Sequence, residues 1–395
     1  MTSPDSKISR KSPDDGPYLG LTLHSSIFEP LEISQVSVGD IAVPLLSEPN
    51  FALSLSRSGL SLTNFIGNKL AVHESGLGRF FSNIVPQTTA AVLNAYFMHE
   101  SGHFRLIQSD ATHFIEVPED VRSFWNGVNG INTNSWASAQ GLHYPYEGIM
   151  NDISYIIQKF DLPFYHAIST KLTGGDGDIA GYLDFRHELG SVHEESWLGG
   201  LSLWMLVDLY PHFARVMKYA WSGEKPENPY QPGDWTLKTN GYLSASGPLY
   251  GLKFMLFLQG HSQLPTYLAI EPWVSPSHTH VNRDQSEAVY PFGVNIEMYR
   301  LPLGGGLGPF SIAMSYELNI SVQRQNIWYQ REYFEDQIGI LLGASASFHF
   351  QTKKWELFVS AGCREDGFLW QESLGTGCSG TAGFLVHVEP NQDSQ

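Results

Sequence analysis

The sequence has little positive charge: 23 lysines and arginines stand against 40 aspartates and glutamates, for a formal net charge of −17. Sequence-independent binding to nucleic acid needs a basic surface that neutralises phosphates, so this balance argues against a nucleic-acid partner. Charged residues of both signs make up only 16% of the chain, whereas aromatic residues make up 13%. Low charge with many aromatics is unusual for a cytosolic enzyme and favours a β-rich or cell-envelope protein.

Long apolar runs are also missing. No stretch reaches the roughly 18 apolar residues of a membrane-spanning helix, and the best candidate, 197–221, is interrupted by charged residues such as Asp208 and Arg215. The polar segment 1–17 lacks the apolar core of a secretory signal and is expected to be a disordered tail. Two interpretations follow: a cytosolic protein, or an envelope protein whose signal has been removed.

Cysteine is scarce, and its two occurrences, Cys363 and Cys378, settle little. Both lie near one predicted hairpin loop. A disulfide between them is expected in an oxidising compartment, and two free thiols are the alternative.

One stretch carries recognisable chemistry: His99, Glu100 and His103 are spaced as His-Glu-x-x-His. The preceding residues, 89–98, are apolar or small and include neither proline nor glycine, which predicts a helix. In a helix the two histidines lie one turn apart on one face and can hold a Zn²⁺ ion. Glu100 then lies beside the metal, where it can take a proton from a bound water. The spacing therefore indicates metal-assisted hydrolysis; two histidines on a partly buried helix without metal are the alternative.

The helix over about 86–108 resembles the active-site helix of the zincin metallopeptidases. The resemblance implies zinc as cofactor, a peptide or protein as substrate, and Glu100 as the general base. A metzincin would have a third histidine where this chain has Ser109. A glutamate from a second helix, as in the gluzincins, fits better, and Glu147 at the start of the next predicted helix is the first choice as third ligand.

The gluzincin pattern also places an aspartate one turn after this glutamate, where it orients a ligand histidine. This chain has Asn151 there, with Asp152 adjacent. Rival third ligands occur in a second acidic segment: Glu188, Glu194 and Glu195. If Glu147 holds the metal, His187 or His193 from the same segment can polarise the tetrahedral intermediate. A solvated polar turn is the alternative for that segment.

The pattern changes from helical to alternating after a linker-like break at 224–229. Apolar and polar residues alternate in about eight long segments, which predicts amphipathic strands. These segments are 234–245, 248–259, 264–274, 287–301, 309–324, 337–351, 354–365 and 380–389. Several exceed the typical strand of about 5–6 residues and reach the roughly 9–11 of a membrane-crossing strand. Eight such strands are expected to close into a barrel, either transmembrane or soluble with an apolar interior.

The sequence thus predicts an α+β protein with a disordered tail (1–17), a mainly helical zinc-binding domain (18–222) and an antiparallel β-barrel (232–390). Short strands are predicted at 19–23 and 52–56, and residues 174–178 are predicted to form a turn. The expected function is that of a zinc-dependent hydrolase, a peptidase, held in the bacterial outer membrane and surrounded by lipid. The alternatives are a soluble location and a structural or binding envelope protein whose motif is not catalytic.

Overall fold

The structure is a computed structural model. It describes residues 18–24, 49–70, 76–112, 119–140, 146, 148–169, 178–188, 191–244, 247–258, 266–277, 279–280, 288–289, 292–302, 311–325, 328–329, 332–333, 337–351, 355–364, 367–369, 372–374 and 377–387. For some of these, among them 103–112, 119–127 and most of 300–387, the backbone alone is described.

The first long region of the chain is helical, as predicted. Its helices are α1 (Pro49–Leu70), α2 (Gly76–Arg79), α3 (Val85–Thr112), α4 (Glu119–Gln140), α5 (Ile149–Ser169), α6 (Asp178–Glu188), α7 (Glu194–Leu206) and α8 (Tyr210–Ser222). A π-helical turn, Phe80–Ile84, joins α2 to α3, and a 3₁₀ turn, Val207–Leu209, joins α7 to α8. Pro211 therefore separates two helices, because it lies in the first turn of α8, where a missing N–H costs nothing.

The strand predicted at 52–56 is wrong, because these residues lie inside α1. Leu53, Arg57 and Leu60 are buried, whereas Leu55 and Gly59 are exposed. Burial at spacings of three and four residues is the signature of a helix packed on one side. The short alternating pattern at 52–56 was too brief to distinguish the two periods.

All eight strands predicted in the second region are present. Together with an N-terminal strand they are β1 (Tyr18–His24), β2 (Trp235–Ser244), β3 (Gly247–Leu258), β4 (Thr266–Val274), β7 (Phe292–Pro302), β8 (Ser311–Gln325), β11 (Gln337–Gln351), β12 (Trp355–Arg364) and β15 (Gly377–His387). Short strands between them are β5 (Thr279–His280), β6 (Ala288–Val289), β9 (Trp328–Tyr329), β10 (Glu332–Tyr333), β13 (Gly367–Leu369) and β14 (Glu372–Leu374). The long strands form one antiparallel sheet in the order β1-β15-β12-β11-β8-β7-β4-β3-β2. Residues 18–24, assigned to the helical domain on sequence, thus belong to this sheet.

The predicted closed barrel is wrong, because the sheet is open: in the described part of the chain no pairing joins its end strands, β1 and β2. Helical side chains take the place of a neighbouring strand along β2. Asn132 of α4 donates to the carbonyl oxygen of Leu243 and accepts from its N–H, both at 2.8 Å. Asp208 accepts from the N–H of Thr239 at 3.0 Å. An edge strand whose backbone groups are already bonded has little left to offer another strand.

The two faces of the sheet have inverted polarity. On the face towards the helices, the buried residues of β3, β4 and β7 include Lys253, Glu271 and Asn295. The opposite face exposes large apolar side chains, which in β3 and β4 alternate with the buried ones. They are Phe254, Leu256, Leu268, Ile270, Val274, Phe292, Phe348, Phe350, Trp355, Leu357, Val359 and Phe384. We call these twelve residues the outer apolar face.

No helix within the described ranges combines the length and apolarity needed to cross a membrane.

Cys363 and Cys378 lie directly opposite each other on β12 and β15. Opposed residues of an antiparallel pair have Cα atoms about 4.5–5.5 Å apart, a separation that a disulfide can span. The strand register is therefore compatible with the predicted disulfide.

Candidate active site

The predicted motif helix is confirmed: His99, Glu100 and His103 all lie within α3. Two glycines bring α3 and α4 into close contact. A Cβ on Gly102 would lie 2.5 Å from the carbonyl oxygen of Asn129, and one on Gly130 would lie 2.5 Å from Nε2 of His99. Since only glycine permits these approaches, the backbone of α4 packs directly on the His99 ring, which is only 2% exposed.

Both ring nitrogens of His99 face carboxylates. Nδ1 lies 3.1 Å from Oδ2 of Asp161, and Nε2 lies 2.9 Å from Oδ2 of Asp178. Tyr165 stacks on the ring, with the centroids 4.5 Å apart and the planes 6° from parallel. Asp161 and Tyr165 are one turn apart on α5, and Asp178 is the first residue of α6. Four helices, α3 to α6, therefore converge on this imidazole.

The surroundings of His99 favour its charged form when no metal is bound. Burial by itself lowers the pKa, but hydrogen bonds to Asp161 and Asp178, together with their negative charge, outweigh it and raise the pKa to about 9. Burial, then the charges of Asp161, Asp178 and Glu100, raises the pKa of Tyr165 to about 12. Tyr165 is therefore an uncharged phenol at neutral pH. A metal at Nε2 would have to displace a proton.

Glu100 occupies a different environment from His99. It is half-buried, and it is hydrogen-bonded to the exposed Tyr96, one turn earlier on the helix. The hydrogen bond to Glu100, and then its negative charge, raises the pKa of Tyr96, so this hydroxyl stays protonated and donates to the carboxylate. Glu100 is therefore bonded to a side chain of its own helix and has no contact with the His99 ring among the described bonds.

The other predicted site residues are either outside the described part of the structure or exposed on the surface. Glu147 lies outside the described residues, as do the side chains of His103 and Glu188. Among the side chains that the structure describes, no three of His, Cys, Asp or Glu are grouped as a metal site. His187, His193 and Glu195 are exposed; His187 is in the last turn of α6 and His193 immediately precedes α7.

Glu194, one of the predicted rival ligands, belongs to a buried network of hydrogen bonds and an ion pair. It is fully buried, and Oε1 accepts from the Tyr182 hydroxyl and lies 3.2 Å from Nε of the equally buried Arg186. That N–H is not aligned as a hydrogen bond, so the contact is an ion pair by distance. Oε2 accepts from Ser191 and Ser277, each at 2.8 Å. With both oxygens engaged, Glu194 links α6 and α7 to the segment that follows β4.

Asp152 is next to the position expected to orient a ligand histidine, but its carboxylate contacts other residues. Its carboxylate lies 2.7 Å from Nδ1 of His212 and 2.6 Å from a guanidinium nitrogen of Arg215, and it accepts from the Tyr146 hydroxyl at 2.9 Å. Burial raises its pKa, but the bonds and charges of His212 and Arg215 outweigh this and lower it. Asp152 therefore stabilises the contact between α5 and α8 as a carboxylate.

Sequence reasoning missed Asp161 and Asp178, the two carboxylates that do contact His99. Asp178 closes the glycine-rich stretch predicted as a turn, and Asp161 stands between Phe160 and Leu162 on α5. An acid with apolar neighbours on both sides was the available signal, since burying a charge requires a partner.

No protein-family model matches the chain, and the curated proteins and the solved structures likewise contain no match to it.

Proposed function

We propose that the protein is a zinc-dependent hydrolase, most simply a peptidase, with its centre on α3. The observation that carries this proposal is the arrangement of the His99 ring. Nδ1 is held by the Asp161 carboxylate, while Nε2 faces a second carboxylate, that of Asp178. Histidines that bind metals commonly donate the distal N–H to a carboxylate, which fixes the tautomer and the ring orientation.

Two described side chains, the His99 imidazole and the Asp178 carboxylate, are of the chemical type that holds zinc. Imidazole nitrogen and carboxylate oxygen are usual zinc ligands, and His103 follows His99 by one helical turn. Bound zinc would polarise a carbonyl and acidify a water molecule. This chain's own contribution to catalysis is Glu100, which accepts the proton of the attacking water and returns it to the leaving nitrogen. Tyr96 donates to Glu100 and holds that carboxylate in place.

Metal analysis tests this proposal. Purified protein is expected to contain about one zinc ion per chain, as in a mononuclear catalytic site. Dialysis against a chelator should abolish cleavage of a mixed peptide library, followed by mass spectrometry. Zn²⁺, but not Mg²⁺, should restore it, because a nitrogen-containing site disfavours the harder ion. A zinc-free protein that takes up none, or cleavage that survives chelation, contradicts the proposal.

A second proposal concerns where the protein acts, and it rests on the outer apolar face. We propose that this face contacts the acyl chains of a lipid bilayer. The opposite face of the same strands buries charged side chains, including Lys253 and Glu271, whereas Phe254, Ile270 and Phe292 are exposed. Such a distribution is costly in water, since exposed apolar area is penalised and buried charge requires pairing. It suits contact with a hydrocarbon surface, as a large exposed apolar patch does.

Ile270→Arg is expected to weaken membrane association. Ile270 lies near the middle of β4, opposite Phe254 on β3 and Ile296 on β7. An arginine placed in a bilayer core costs about 2.5–3.5 kcal/mol, so the variant should lose most of its co-flotation with phosphatidylcholine vesicles. Val192→Arg, which replaces an exposed apolar residue on the helical side, is the control and should float like the wild type. A wild type that stays monodisperse without detergent and never floats would refute lipid contact.

A further inference from the structure

We propose that Lys238 is a second reactive centre, whose amine binds a small 2-oxo acid as an imine. Lys238 lies on β2, on the side that faces α5, and is only 3% exposed. It shares no residue with the centre on α3, so the two proposals are tested separately. The inference rests on the small number of negative partners that the buried amines of this region have.

Lys238 has aromatic neighbours in place of an anionic partner. Its Nζ lies 4.1 Å from the ring centroid of Tyr155 on α5 and 5.7 Å from that of Tyr230. Within the described part of the chain, no hydrogen bond or ion pair involves this amine. Burial without a paired carboxylate favours the uncharged amine, which is the nucleophilic form of lysine.

The carboxylate whose charge acts on Lys238 is that of Asp208, and its Oδ2 is already engaged. Oδ2 accepts from the Tyr155 hydroxyl at 2.5 Å and from the Thr239 N–H at 3.0 Å, and it lies 3.8 Å from Nζ of Lys159. The same Nζ of Lys159 lies 5.3 Å from the centroid of the Tyr155 ring. Two buried amines therefore share one aromatic ring and one carboxylate.

The charges around Lys238 also favour its neutral form. Burial lowers the pKa of Lys238, and the charge of Asp208 opposes this effect. Three cations, Lys159, Lys253 and Arg215, lower the pKa further, to about 7. Lysines made nucleophilic by burial and a neighbouring cation form Schiff bases with carbonyl compounds. Because these cations outnumber the single carboxylate that acts on the amine, the site favours a carbonyl compound that carries its own negative charge.

Imine formation uses groups that are present at this site. The nitrogen lone pair of Lys238 forms a bond to the carbonyl carbon, and the carbonyl oxygen leaves as water with the two amine hydrogens, so nothing is oxidised or reduced. Oδ1 of Asp208 is buried and accepts no hydrogen bond in the described part of the chain. It can therefore take a proton from the nitrogen and return it to the departing oxygen. Tyr230, whose ring lies against the amine, is partly exposed, so the amine is one side chain away from solvent.

Reductive trapping tests the proposal. The full chain is incubated with pyruvate and sodium cyanoborohydride, and the modified lysines are located by peptide mass spectrometry. At pH 7 about half of the Lys238 amines are uncharged, against roughly 1 in 10³ of ordinary lysine amines. Burial slows access, so we expect Lys238 to be labelled at least about 10-fold faster than the exposed Lys218. Lys253 is the matched control, because it is similarly buried but paired with Glu297, and it should stay unlabelled.

The dependence on pH and on the charge of the probe separates a reactive lysine from a structural one. Labelling of Lys238 should rise through pH 7 and level off, whereas that of Lys218 should still rise above about pH 9. Lys159→Met removes a neighbouring positive charge and should move the Lys238 midpoint to higher pH. Methyl pyruvate, the neutral ester, should label Lys238 more slowly than pyruvate does.

Three results would overturn the proposal. The first is a folded wild type in which Lys218 reacts and Lys238 does not. The second is a Lys238 rate that rises only above about pH 9, as for an ordinary lysine. The third is labelling of Lys238 by methyl pyruvate at the rate seen with pyruvate, which would exclude a preference for an anionic ligand.

Discussion

Replacing Glu100 by glutamine is expected to lower the rate of peptide hydrolysis by about 10²–10⁴-fold, the usual contribution of a general base. The amide keeps the size of the side chain and can still accept from Tyr96, but it cannot take a proton from water. Zinc should remain bound, because Glu100 is not a ligand in the proposed site. The measurements are initial rates on a cleaved library peptide and zinc content by mass spectrometry.

Glu195→Gln is the matched control, because it makes the same chemical change at an exposed position on α7. Its rate should equal that of the wild type. Equal rates in Glu100→Gln and Glu195→Gln would remove Glu100 from the mechanism and support the non-catalytic alternative. A Glu100→Gln protein that has lost its zinc would show that Glu100 is needed for the metal site itself.

Replacing Glu194 by alanine is expected to reduce the free energy of unfolding by about 3–5 kcal/mol, the usual cost of breaking a buried ion pair from one side. Arg186 and Glu194 are both fully buried, and the variant leaves the guanidinium without this carboxylate. The hydroxyls of Tyr182, Ser191 and Ser277 lose an acceptor as well. Urea unfolding followed by circular dichroism measures the effect.

Glu195→Ala is the control for this change, since the neighbouring side chain is exposed; its effect should stay within about 0.5 kcal/mol. The folded Glu194→Ala protein should bind zinc as the wild type does. A variant of unchanged stability that no longer binds zinc would instead restore Glu194 as a ligand and contradict its structural role.

Side chains of the helical region bond to the β2 edge of the open sheet and thereby join the two regions. Asn132 and Asp208 satisfy backbone groups of β2 that a further strand would otherwise bind, and Lys159 donates to the carbonyl oxygen of Thr239. These helical side chains lie far from β2 in sequence. Nothing in the alternating pattern of the strands could therefore show that the edge would be covered by helices.

Local elements were readable from the sequence because their signals are local. The apolar run before His99 predicted α3, Pro211 marked the division between α7 and α8, and period-two alternation located all eight strands of the second region. Each depends on residues within about four positions, where helix and strand place side chains on different faces. The same spacing put His99 and His103 on one helix face.

Only the tertiary structure decided what these elements contact. Close packing at Gly102 and Gly130 brings α4 against the His99 ring, and the start of α6 then places Asp178 on its Nε2. The predicted rival Glu194 instead became the partner of a buried arginine. The amphipathic strands formed an open sheet instead of a barrel. The side chains that bond its β2 edge come from residues distant in sequence. A carboxylate's partner depends on helix packing across long separations, which periodicity does not encode.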